Sequence, residues 1–123
     1  MRKEMREKQA FLELKNLVEN MNEDVTYVIV EGRKDKEALR KLGYKGKIVY
    51  ANKLKRIKEG KVVILTDFDK EGIKIAERIK KEIGERKIDE FFREKVGRIL
   101  KSISRNDIQS ISNLCRKYKD ALE

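Results

Sequence analysis

The sequence predicts a three-layer α/β fold, a mainly parallel sheet of about four strands flanked by helices and carrying helical extensions at both ends. Two observations carry that expectation. Short β-branched apolar runs alternate with stretches whose apolar residues recur every three or four positions, and the connections between them are short. Glycines also stand where two of the helical stretches should stop, at Gly43 and Gly84.

The opening segment predicts an amphipathic helix over residues 3–20, with Phe11, Leu14, Val18 and Met21 on one stripe and a break at "NMNED". "VTYVIVEG" follows, and its near-continuous apolar character suits a strand covered on both faces. "RKDKEALRKLG" places Ala38, Leu39 and Leu42 on one helical face and ends at Gly43. "KIVYA" predicts a second strand, "NKLKRIKEG" a short basic helix or turn, and "KVVILTD" a third strand. Ile73, Ala76, Ile79 and Ile83 form the next helical stripe, closed by Gly84. "RKIDEF" offers a last short strand, and the tail over 92–122 reads as helical. Phe92, Val96, Ile99 and Ile103 mark its first helix, then Ile108, Ile111, Cys115, Tyr118 and Leu122 its second. No repeat or linker divides the chain, so 123 residues predict one domain with its core over 25–90.

Lysine and arginine number 32 against 22 acids, a formal excess of +10. That surplus favours polyanions, with nucleic acid ahead of a membrane surface because no long apolar span accompanies it. A charged fraction of 44% also describes a heat-adapted protein, which accounts for the density of charge but not its imbalance. The lack of histidine and the single Cys115 exclude an imidazole base, an internal disulfide and a cysteine or histidine zinc site. Catalysis would fall to carboxylates, lysines, tyrosines or a bound metal. With no apolar signal core at the N-terminus, a cytoplasmic location is expected.

The segment "TDFDKEG" sets Asp67 and Asp69 at the end of the third strand, and Glu31 ends the first. Ligands of open parallel sheets sit at these carboxyl ends. Were the two strands neighbours, about 4.8 Å apart, all three carboxylates could reach one point. Two such charges 4 Å apart repel by roughly 1 kcal/mol in water and about 4 kcal/mol at an effective dielectric of 20. A hard dication reverses the sign; Mg²⁺ takes oxygen ligands and is the usual companion of phosphoryl transfer. The spacing alone equally suits a helix N-cap at Asp69 with Glu31 merely solvated.

Two motifs in order add to this. "VIVEGRKDKEALRKLG" resembles the first motif of the toprim domain, the module shared by bacterial-type primases, topoisomerases and several nucleases. "VVILTDFDKEGIKIA" resembles its second, a strand followed by D-x-D-x-x-G. The resemblance implies a compact Rossmann-like parallel sheet and one or two Mg²⁺ ions, with Mn²⁺ able to substitute, held by Glu31, Asp67 and Asp69. It makes Glu31 the general acid or base, gives Asp35 a supporting role as a helix cap, and lets Gly32 and Gly72 bring backbone close to the site. The chain has no room for the further domains of topoisomerases and primases. It is similar in size to the stand-alone toprim proteins, among them the ribonuclease that matures bacterial 5S ribosomal RNA and a family of archaeal proteins. The implied activity is nuclease-like phosphodiester processing; the competing expectation is a metal-dependent nucleic-acid-binding module that does not cut.

Residues 45–61 carry seven basic residues against Glu59 alone. Lys53, Lys55, Arg56 and Lys58 in that run, with Arg33 and Lys34 just after Glu31, are the candidates for holding a phosphate backbone. Tyr44 and Tyr50 are better placed for packing than for stacking bases.

Overall fold

The structure, a computed structural model, describes residues 2–84 and 88–122. In chain order its elements are α1 (Lys3–Asp24), β1 (Tyr27–Val30), α2 (Arg33–Leu42), β2 (Lys47–Tyr50), a 3₁₀ turn (Leu54–Arg56), β3 (Val62–Ile64) and α3 (Lys70–Ile83). Helices α4 (Phe91–Ser102) and α5 (Ser110–Tyr118) and a closing 3₁₀ turn (Lys119–Leu122) complete it. The α/β class and the helical extensions are as expected. Helix α1 runs past the expected break because Met21, inside "NMNED", is fully buried, and Val25 N–H closes the last turn on the Met21 carbonyl at 2.8 Å.

Three parallel strands form the sheet in the order β2-β1-β3. In register, Tyr27 stands beside Lys47 on one side and Val62 on the other. All of β1 is buried, as its unbroken apolar run requires. Of the expected fourth strand at "RKIDEF", which begins at residues outside those described, the described residues show a single parallel bridge from Ile88 to Val62. Pairing stops there because the Asp89 carboxylate accepts the Phe91 N–H at 2.7 Å and starts α4 at once.

The two faces of the sheet hold separate cores. Val28, Val30, Val63 and Leu65 point to one side, under α1, α2, α4 and α5, with Phe11, Leu39, Leu100 and Ile111 among the filling. Tyr27, Ile29, Val49, Val62 and Ile64 point to the other, under Ala76 and Ile79 of α3, with Leu54 and Ile57 tucked beside them. Ile73 leaves the expected α3 stripe and is 48% exposed, because Gly72, Ala76 and Ile79 form the buried edge instead. Tyr44 is buried within the first core, where it cannot stack on a base; burial pushes its hydroxyl up to about 12. Cys115 is buried as a small apolar residue. Among the described residues no helix is long and apolar enough to cross a membrane.

Candidate functional site

The connection from β1 leaves through α2 on one face, while that from β3 leaves through α3 on the other. The carboxyl ends of β1 and β3 are therefore a topological switch point, flanked by the N-termini of two helices. Glu31 directly precedes the Gly32 cap of α2, and Asp69 is the cap of α3. Both helix ends present partial positive charge to the carboxylates between them.

Each expected acid is fixed by a backbone amide. Asp67 N–H donates to Glu31 Oε2 at 2.8 Å, tying the two strand ends together. Asp69 Oδ1 accepts the Gly72 N–H at 2.7 Å as an N-cap. Asp67 Oδ1 accepts from Ile108 N–H at 2.9 Å, across 41 positions of sequence. These bonds hold the three carboxylates in one neighbourhood without closing them into a ligand shell. Among the described residues no group of three acidic, cysteine or histidine side chains is arranged to hold an ion.

Asp35 joins them from the first turn of α2. Its Oδ2 accepts the Gly32 N–H at 3.1 Å, the expected cap, while its Oδ1 is buried with no hydrogen-bond partner. Burial pushes its carboxyl up to about 6, and the charges of Asp67, Glu31 and Asp107 act in the same direction. Asp67 is raised as well, first by burial and then by Glu31, Asp69 and Asp107, against the pull of the Ile108 amide. Asp107 is thus a further member of the acidic cluster, supplied by a segment without a recognised motif.

That segment reaches the site by a tight reversal. Two residues past the end of α4, Ser104 stands at φ 59°, and the Ser104 and Arg105 amides donate to the Lys101 and Leu100 carbonyls at 2.9 Å each. This is the paired bonding of a left-handed helix cap, made with serine where glycine would be less strained. The chain then returns to the strand end, where the Asn106 carbonyl accepts the Phe68 N–H at 2.6 Å. Arg93, 8% exposed, braces the same turn from α4: its guanidinium donates to the Ile64, Thr66 and Asp67 carbonyls at 3.1, 2.9 and 3.3 Å. It also lies 4.4 Å from the centre of the Phe68 ring.

Gly72 has the close approach expected of it, since a Cβ there would lie 2.0 Å from the Asp67 carbonyl oxygen. Gly32 does not: a Cβ there would meet nothing within 4 Å, and its φ of −156° is ordinary extended backbone. Arg33 and Lys34 are exposed at the start of α2, with Arg33 3.5 Å from Glu37. Lys53, Lys55 and Arg56 together line a groove of about 620 Å³ with Arg78 and Glu82 on the later turns of α3. Lys58 is exposed, and its amide donates to the Tyr27 hydroxyl at 3.2 Å. The basic run, Lys53 included, therefore lies along α3, leaving Arg33 and Lys34 at the start of α2 nearer the rim.

Whether Mg²⁺ suits this place is decided by the donors. Glu31, Asp67 and Asp69 offer carboxylate oxygens only, Asp67 is raised by burial and then by neighbouring acids, and the Asp35 oxygen left without a partner belongs to the same acidic cluster. Mg²⁺ is commonly held by one or two carboxylates and keeps several waters, so an open set of acids fits without a closed triad. Glu31, Asp67 and Asp69 are the side chains that would hold it.

Residues 26–100 match the toprim domain family model, a span that includes both acidic strand ends, Arg93 and most of α4. A UPF0292 protein of Archaeoglobus fulgidus is 37% identical over 75 residues, covering 58% of this chain and 60% of that relative. The match thus spans less than two thirds of that protein's length. A UPF0292 protein of Methanocaldococcus jannaschii is 34% identical over 97 residues, 68% of this chain and 74% of the relative. One from Thermococcus onnurineus is 31% identical over 111 residues, 83% and 80%. Among solved structures, a protein from Aquifex aeolicus superposes with a TM-score of 0.59 at 25% identity, covering 83% of this chain and 94% of that one. Toprim domains typically bind Mg²⁺, generally act on nucleic acids and are associated with phosphodiester processing. The chain belongs to the toprim domain family, among the archaeal UPF0292 proteins.

Proposed function

We propose that this protein is a Mg²⁺-dependent nuclease acting on phosphodiesters of nucleic acid. The observation that carries the proposal is the placement of Glu31, Asp67 and Asp69 on adjoining strand ends at the switch point, crowded by Asp35 and Asp107. Glu31, Asp67 and Asp69 would hold the Mg²⁺, which would supply charge neutralisation on the phosphate. The chain's own residues do the rest. Glu31, held at one oxygen by the Asp67 amide, is positioned as the group that takes or gives a proton. Arg93 and the Thr66 hydroxyl, which donates to the Gly72 carbonyl at 2.7 Å, keep the D-x-D turn in place. Arg33 and Lys34 stand at the start of α2 to meet phosphate charge, with Lys53, Lys55, Arg56 and Lys58 farther along.

Incubating the protein with mixed-sequence RNA and DNA substrates in Mg²⁺ tests this. Cleavage that stops in EDTA and falls by about 100-fold or more in Asp67→Asn is expected. Cleavage unchanged in that variant would defeat the assignment. One observation favours a second reading, a binding module that does not cut: each of the three acids already accepts a backbone amide, and Asp69 acts as a helix cap. Nucleic acid bound but never cleaved, over varied substrates and divalent ions, would select it.

A further inference from the structure

The tail after Gly84 supplies more than a wall of the acidic cleft. Between Phe68 and α4 lies an open groove of about 630 Å³, reaching from the aromatic ring between Asp67 and Asp69 to the turn at Arg105 and Asn106. Arg93, Arg98, Lys101 and Arg105 line it against Glu90 and Glu94. Arg93 is committed to three carbonyls, and Glu90 is paired with Lys80 at 3.2 Å. Arg98, Lys101 and Arg105 are exposed, and none of the three has an ion-pair partner among the described residues. Arg98 and Lys101 lie three residues apart on α4, which on a helical surface sets neighbours roughly 5–6 Å apart, while Arg105 stands just beyond the helix end. Like charges so placed weaken a helix unless something anionic meets them.

The reversal at Ser104 gives this row its direction. It carries Arg105 off the end of α4 and delivers Asn106 to the Phe68 amide, so the basic row ends against the acidic turn itself. Arg105 also lines the adjoining groove with Lys3 and Arg6, which extends the positive surface beyond α4. The Lys55 and Arg56 groove, by contrast, lies along the later turns of α3 and contains none of the residues around the acids.

We infer that the phosphodiester backbone of a nucleic-acid strand runs over α4, held by Arg98, Lys101 and Arg105, and enters the acidic cleft past Phe68. The inference rests on the nucleic-acid reading proposed above. It assigns the principal phosphate track to the tail rather than to the basic run at residues 45–61. Sugar chemistry is not specified by contacts to phosphate alone, so RNA and DNA share the track and are separated by experiment.

Fluorescence anisotropy of the full chain with labelled single strands and duplexes of RNA and of DNA, in Mg²⁺ and again in EDTA, tests the track. The triple variant R98A/K101A/R105A is expected to bind on the order of 100-fold more weakly and to lose about 2–3 from its log–log salt slope. K53A/K55A/R56A, in the secondary basic run, is expected to lose less, under about 10-fold. Circular dichroism checks folding, and the single charge reversal Arg98→Glu, expected to weaken binding in the same direction, serves if the triple variant does not fold. Wild-type binding with the tail variants unaffected overturns the track while leaving the nuclease proposal standing, as does loss confined to the Lys53 variant. If the wild type binds none of the four probes, the nucleic-acid proposal itself falls and takes the track with it. Preference among the four probes identifies the sugar and strandedness the track accepts.

Discussion

Asp35 shows how a residue can serve the local fold and strain it together. One oxygen caps α2 through Gly32 N–H, and the other is buried without a partner. Its carboxyl is raised from 3.8 to about 6, chiefly by burial and then by Asp67. The stability that such a raised group contributes is fully present below its unfolded value, and is lost as pH rises through the folded one. Over that interval the loss is on the order of 3 kcal/mol, at 1.36 kcal/mol per pKa unit. Asp35→Asn keeps an oxygen for the Gly32 amide but cannot ionise. In EDTA the variant should be about 1–2 kcal/mol more stable than wild type at pH 8, part of the gain being offset by a weaker neutral hydrogen bond. Denaturant unfolding at pH 4 and pH 8 should show the advantage only at the higher pH. Equal stability of the two proteins at pH 8 would mean that the buried carboxylate is not crowded. The cap was legible in "EGRKD" because it is local; the orphaned oxygen was not, because the tail and the neighbouring strand create its surroundings.

At the scale of elements, the junction from β3 to α3 decides whether the site exists. Gly72 lies against the Asp67 backbone, so the first turn of α3 can close only without a side chain there. Gly72→Ala should cost about 1–3 kcal/mol in unfolding free energy through overpacking. Gly32→Ala, with open space around it, should change stability by under about 1 kcal/mol. Equal losses in the two variants would contradict the close approach. Both motifs could be read in advance because each lies within one strand-to-helix turn, where local spacing governs geometry. The contributions of Arg93, Asp107 and Ile108 could not. Arg93 falls between Phe92 and Val96 and reads as an ordinary helix charge, yet packing turns it toward three strand-end carbonyls. Asp107 and Ile108 reach Asp67 only because α4 reverses at Ser104, a residue whose left-handed conformation its side chain does not advertise.

Across the whole molecule, the charge excess is distributed to a purpose. Acids gather at one end of a parallel sheet, while the unpaired bases of α4 and the tail lie next to them. The strand order that places β1 beside β3 is a property of the assembled sheet. The sequence could state the consequence of that adjacency but not the adjacency itself, and the same limit hid the direction in which residues 45–61 run. Among the described residues the acids gather without forming a closed shell. The central claim is therefore that the open cleft of Glu31, Asp67 and Asp69 takes up a hard dication. Calorimetric titration of Mg²⁺ into wild type and Glu31→Gln measures it directly, since glutamine can still accept the Asp67 amide and preserve the strand junction. Saturable uptake in the wild type that weakens by about 10–100-fold in the variant is the expected result. Uptake that is the same in both proteins, or absent from the wild type, would contradict it.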